Sequence, residues 1–228
     1  MHKDFLIYDS IAVKFLYNLT KIDGISSPQS LCGIALRIYR KCIFMRKKQI
    51  KELVMCGMFV ALITVGAFIK IPIPFVPFTL QYLFTMLAGL LLGGRGGLAA
   101  VTVYIGLGLI GFPVFSSGGG IGYIFQPTFG YIPGFAFGAL ATGLIANKTD
   151  TPGYKRLFAA NFTGLGIVYI TGMIYCYMIC WLYMGQPISL WDLILYCFIL
   201  AVPGDILLCI AAAFIGKRLI PLIRKDKI

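Results

Sequence analysis

Histidine is all but missing from this 228-residue chain, and the single one, His2, leaves no basis for a His-dependent catalytic triad or a His-ligated metal. Charge is scarce as well. Asp and Glu number 8, and all charged residues make up 12% of the chain against 59% hydrophobic residues and a mean hydropathy of +0.89. A soluble domain of this size cannot hide such a balance from water, so the membrane is its solvent. A spanning helix takes about 20 mostly apolar residues, and apolar runs fill most of the chain beyond Met45, which gives roughly six spans. No length remains for a separate soluble catalytic domain. No paired carboxylates sit at glycosidase-like positions and no nucleophile has a candidate base, so catalysis has no visible machinery and no cofactor is implied.

What is present is basic charge, cysteine and glycine. A net charge of +12 in a soluble protein would suggest nucleic acid, but here Lys and Arg sit at the ends of apolar runs and read as topology signals. The seven cysteines (Cys32, Cys42, Cys56, Cys176, Cys180, Cys197, Cys209) are odd in number and mostly lie in or beside apolar spans. That argues against a disulfide framework and a zinc site, and for buried structural thiols.

The predicted spans are 53–69, 78–94, 98–113, 128–146, 157–183 and 190–216. Spans two and three are short, and only Arg95-Gly96-Gly97 separates them, which predicts a tight helical hairpin. With the segment before span one inside, Arg46, Lys47, Lys48, Lys51, Arg95, Lys148, Lys155, Arg156, Lys217, Arg218, Arg224, Lys225 and Lys227 all gather on the inner side. The outer ends hold only Lys70, so both termini are expected in the cytoplasm. Residues 1–44 differ from the rest, mixing charge with apolar residues. They read as an upstream extension, a mis-assigned start before Met45, or an amphipathic surface helix built from the apolar residues between Phe5 and Leu19.

Two outer connections stand out. Residues 70–77 carry three prolines, which forbid helix and favour an extended segment, and residues 114–127 are uncharged and glycine-rich, letting backbone approach a ligand closely. Both have apolar flanks: Phe75, Phe78, Phe115, Tyr123 and Phe125. Asp205 is the most informative residue, a carboxylate near the middle of the sixth span after Pro203-Gly204. It marks either a ligand or ion site, or a bundle hydrogen bond to a neighbouring Tyr or Asn. Thr79 and Gln81 open span two, and Gln126, Thr128 and Tyr131 open span four on the same outer side. Together with Asp205 they describe an apolar pocket with a few convergent polar groups. Gly130, Gly134 and Gly138 repeat at four-residue spacing, as do Gly89 and Gly93, and Gly57 with Ala61, faces that let helices approach closely. The first two sets read as packing within the bundle. The Gly57/Ala61 face on span one could equally dock a second membrane protein.

These residues resemble a family, the biotin-specific substrate-binding (S) components of energy-coupling factor transporters, known as BioY proteins. The resemblance covers residues 45–228. It rests on Pro77-Phe-Thr79-Leu-Gln81, Leu92-Gly-Gly-Arg95, the run from Gly108 through Pro113, Phe115 and the triple glycine to Phe135, Tyr169 with Gly172, and Pro203-Gly204-Asp205. It implies an all-α bundle of six transmembrane helices in the cell membrane that captures biotin from outside without turning it over. The protein would work with a transmembrane coupling subunit and a pair of ATPase subunits. The ureido ring of biotin has two N–H donors, for which Asp205 is a suitable acceptor. Phe75, Phe115, Tyr131 and Tyr169 could wall its apolar parts. The family commonly carries a lysine three residues after this aspartate, where this chain has Leu208. The biotin carboxylate then falls to neutral donors such as Gln81, Tyr82, Gln126 or loop N–H groups, or to Lys70 at the rim. Gly57 and Ala61 are the expected contact for the coupling subunit. A different small vitamin as ligand, or a membrane-embedded enzyme using Asp205, are the competing readings.

Overall fold

A computed structural model describes residues 49–71, 78–149, 151–183, 185 and 189–225. The expected extension, 1–44, the amphipathic stretch within it, and most of the proline segment with Phe75 lie outside the described residues. The elements are helix α1 (Gln49–Phe68), strands β1 (Lys70–Ile71) and β2 (Phe78–Thr79), α2 (Gln81–Leu92) and α3 (Gly94–Ile110). Two 3-10 turns (Ile121–Phe125 and Pro127–Gly130) follow, then α4 (Tyr131–Ala146), α5 (Tyr154–Leu182), a short α6 (Leu190–Ile194), a π-helical turn (Leu195–Ile199) and α7 (Val202–Lys225).

Among the described residues, four helical stretches are long and apolar enough to cross a membrane: Gln49–Phe68, Pro127–Ala146, Tyr154–Leu182 and Trp191–Ile223. The two shorter apolar helices have 12 and 17 residues, which at ~1.5 Å per residue makes the first well short of a ~30 Å hydrocarbon core. They are joined more abruptly than their sequence suggests. The break is the single residue Gly93, with φ 87°, and Arg95-Gly96-Gly97 already belong to the first turn of α3, not to a connector. The reason is contact. A side chain at Gly143 of α4 would place its Cβ 2.3 Å from the Gly94 nitrogen and 2.6 Å from the Gly89 carbonyl oxygen, so the reversal is seated backbone to backbone against α4.

α4 lies at the centre, packed on α5, α2 and α3. Its predicted small face carries the contact with α5: a Cβ at Gly130 would fall within 2.2 Å of Tyr175, at Gly134 within 2.3 Å of Thr171, and at Gly138 within 3.1 Å of the Gly164 carbonyl. Gly89 does the same for α2, with the Ala139 carbonyl at 2.4 Å. Close approach lets polar groups pair across helices as well: the Thr142 hydroxyl donates to the Ala160 carbonyl at 3.1 Å. α1 joins the core through Phe59, Val60 and Ile63 but keeps Gly57 and Ala61 on its exposed side, where a Cβ at Gly57 would meet no described residue within 4 Å. Of the cysteines, Cys176, Cys180, Cys197 and Cys209 are buried free thiols and Cys56 is half-buried.

Candidate functional site

The site lies at the end of the bundle where α2 and α4 begin. Two-residue strands on either side of the proline segment pair antiparallel, Lys70 opposite Thr79 and Ile71 opposite Phe78, and deliver Phe78 and Thr79 directly to the start of α2. The glycine-rich connection folds back onto the end of α3. Gly111, left-handed at φ 118°, closes that helix with its N–H on the Gly108 carbonyl, and the Gly120 N–H returns to the same oxygen at 2.7 Å. Gly119 has no space for a side chain, since its Cβ would lie 2.1 Å from the Phe112 carbonyl oxygen. Here glycine serves the fold of the loop itself.

Between these elements is a cavity lined by Phe78, Thr79, Gln81, Tyr82, Ser116, Tyr123, Thr128, Tyr131, Ile132, Phe135, Val168, Tyr169, Ala201 and Asp205. Its polar groups form two sets. On one side the Tyr169 hydroxyl donates to Asp205 Oδ2 at 2.5 Å, tying α5 to α7. Tyr131 crosses Tyr169 edge to face at 6.2 Å and donates to the Cys197 carbonyl at 3.4 Å, a contact made in the π-helical turn just before Asp205. Gly204 leaves room for the Phe78 ring, which a Cβ there would approach to 2.5 Å. On the other side the hydroxyls of Ser116 and Tyr123 lie 3.1 Å apart, and Thr128 donates to Tyr123 at 3.5 Å.

Gln81 is buried on the wall and its amide nitrogen has no hydrogen-bond partner among the described residues, although the Tyr104 hydroxyl is nearby. A buried, unpaired donor is costly, which makes it a natural contact for a ligand acceptor. Tyr82 is committed elsewhere, donating to the Asn161 backbone carbonyl at 3.1 Å, so it offers the cavity its ring more than its hydroxyl.

Seven of the nine candidate ligand residues read from the sequence, Asp205, Thr79, Gln81, Tyr82, Thr128, Tyr131 and Tyr169, line this one cavity. Phe115 and Gln126 do not. Phe115 is fully buried behind the wall, over Gly108 and between Tyr104 and Tyr123 at 5.5 and 4.6 Å, where it anchors the glycine-rich loop. Gln126 is the extended link between the two 3-10 turns, its backbone bonded to Tyr123 and Phe129. Asp205 does make the hydrogen bond to a neighbouring Tyr that its sequence position allowed, and it lines the cavity as well. Leu208 packs against the core.

Ile132, Phe135, Val168 and Ala201 went unread. Helical spacing carried a signal for two of them, because Phe135 follows Tyr131 by one turn and Ala201 precedes Asp205 by one turn. Asn161 also escaped notice. Buried between α2, α5 and α7, it donates to the Cys209 carbonyl at 2.9 Å.

The BioY family profile matches residues 41–225. A probable biotin transporter BioY of Lysinibacillus sphaericus is 44% identical over 183 residues, covering 80% of this chain and 93% of that protein. The biotin transporter BioY of Thermotoga maritima is 43% identical over 124 residues, 54% of this chain and 72% of that one. Among solved structures, the crystal structure of the S-component for biotin from an ECF-type ABC transporter matches with a TM-score of 0.59 at 29% identity, over 76% of this chain and 92% of that chain. An apolar helical bundle with an aspartate-bearing cavity, a profile spanning nearly every described residue and a relative matched almost end to end lead to one conclusion: the chain is a multi-pass membrane protein and belongs to the BioY family.

Proposed function

We propose that this chain is the membrane-embedded S component of an energy-coupling factor transporter and captures biotin from outside the cell. The supporting observation is the Asp205 carboxylate on the wall of an aromatic cavity, oriented by the Tyr169 hydroxyl at 2.5 Å. Tyr169 takes one carboxylate oxygen and leaves the other for a ligand N–H, which suits the paired ureido donors of biotin. Tyr131, Phe135 and Phe78 supply flat apolar walls for the thioether ring and chain, and the unpaired Gln81 amide offers one donor to a ligand oxygen. Binding without turnover is what such a component does, with Asp205 serving as a hydrogen-bond acceptor for the ligand.

Six spans, with α2 and α3 counted separately, put both termini in the cytoplasm. The supporting pattern is the charge: every Lys and Arg at the ends of the helices falls on one side except Lys70. Residues 1–44 stand as an extension to this bundle or as sequence before the true start at Met45. The open Gly57/Ala61 face of α1 is where the coupling subunit would dock, with the ATPase subunits driving uptake from the cytoplasmic side and lipid covering the remaining apolar faces.

Equilibrium binding of biotin to the detergent-purified chain from Met45 onward, with desthiobiotin, thiamine and riboflavin as competitors, tests the reading. Saturable binding of biotin that thiamine and riboflavin do not displace is expected. Asp205→Ala should weaken it at least a hundredfold while the thermal unfolding profile stays that of the parent, because a carboxylate hydrogen-bonding to ligand in a low-dielectric cavity is worth about 3 kcal/mol. Preference for another vitamin would leave the fold and class in place and remove biotin.

A further inference from the structure

The acid tail of the ligand needs a partner at the cavity, and the distribution of cations leaves one candidate. Between Glu52 and Gly216 the chain holds five cations, Lys70, Arg95, Lys148, Lys155 and Arg156. Arg95 follows the far end of α2, whose first residue Gln81 lines the cavity; 12 residues of helix separate the two ends by ~18 Å. Lys148, Lys155 and Arg156 lie past the far end of α4, whose first residue Tyr131 is on the cavity wall. Lys217 stands 12 residues along α7 from Asp205, about 18 Å further on, and is engaged with the Pro152 carbonyl at 2.9 Å. Among the described residues, Lys70 is the cation at the cavity end of the bundle.

Two independent contacts bring it to the mouth. Lys70 is the direct cross-strand partner of Thr79, and directly opposed residues in an antiparallel pair project to the same face, so its side chain rises beside a cavity-lining threonine. Its Nζ donates to the backbone carbonyl of Ser116, also a wall residue, at 2.7 Å. An ammonium has three N–H donors, and the Ser116 carbonyl uses one. The remaining two point from an exposed rim position with no carboxylate partner among the described residues.

Resting on the biotin reading, we propose that Lys70 binds the ligand's carboxylate and so sets the preference for an acid over a neutral tail. With the ureido ring at Asp205, the acid tail runs toward the wall made by Thr79 and Ser116, where the ammonium bridges the Ser116 carbonyl and the incoming carboxylate. Binding then draws β1 and the glycine-rich connection together over the mouth.

Equilibrium binding of biotin and of biotin amide, the same molecule with an uncharged tail, to wild type, Lys70→Met and Lys70→Arg discriminates this role. In Lys70→Met, biotin should bind about tenfold more weakly while biotin amide is unaffected, as expected for one partly exposed charge-assisted hydrogen bond. Lys70→Arg should keep most of the biotin affinity. Equal losses for both ligands would make Lys70 a latch between β1 and the loop and overturn the proposal, as would no loss for either. If wild type bound neither ligand, the biotin reading itself would fall, and the carboxylate role with it.

Discussion

α4 and α1 carry the same sequence signature, small residues four apart, and meet opposite fates. At α4 the series Gly130, Gly134 and Gly138 is filled from outside by α5, and Gly143, beyond the series, by the backbone of the α2–α3 reversal. On α1 no described residue fills the Gly57 position, and the helix keeps only 28% of its spanning window buried, against 61% for the window that contains α4. The spacing states that something approaches closely and is silent about what. For α4 that something is the chain itself. For α1 no described residue of the chain takes that place.

The comparison can be broken from either side. The largest effect should come from Gly143→Leu, whose side chain would collide with the backbone of Gly89, Gly93 and Gly94. Overpacking a site that has no flexible neighbour should cost about 3 kcal/mol or more, read as loss of folded protein or a large drop in detergent unfolding midpoint. A smaller loss, about 1 kcal/mol, is expected for Thr142→Val, which preserves shape and removes the hydroxyl bond to the Ala160 carbonyl between α4 and α5. The smallest is Gly57→Leu with Ala61→Leu, within about 0.5 kcal/mol of the parent in unfolding and without effect on biotin binding. Uptake by cells or vesicles carrying the coupling and ATPase subunits should nevertheless stop. A fall in stability comparable to that of Gly143→Leu would show that α1 packs inward and would end its claim to the docking face.

Much of the bundle was legible because hydrocarbon imposes a simple rule: long apolar runs, with basic residues at their ends. Spans one, four and five appear at nearly the boundaries read from hydropathy, as 49–68, 131–146 and 154–182. The sixth, Trp191–Ile223, carries a π-helical turn at Leu195–Ile199 within it, where Tyr131 donates to the Cys197 carbonyl, an interaction between residues 66 positions apart that no local pattern announces. The site divides along the same line. Asp205 stood out because a carboxylate inside an apolar span demands a partner, and Gln81 because a polar residue opens a span, whereas Tyr169 came only with the family resemblance; the three line one cavity. Phe115 lies behind the cavity wall: an aromatic beside a glycine-rich loop looks the same in sequence whether it faces a ligand or pins the loop, and its ring fills the side-chain space of Gly108.

The one-residue reversal at Gly93 also bears on how such chains can vary in length. A turn with no spare residue, whose two flanking backbones rest on Gly143, tolerates neither insertion nor deletion, since a single added residue would rotate α3 by ~100° against its neighbours. The bend beyond α4 is held differently, by side chains: Arg156 donates to the Thr149 hydroxyl and Lys217 to the carbonyl of the buried Pro152. Epitope tags and natural length polymorphism should therefore be refused at Gly93, a bend that alignment by hydropathy alone would treat like any other.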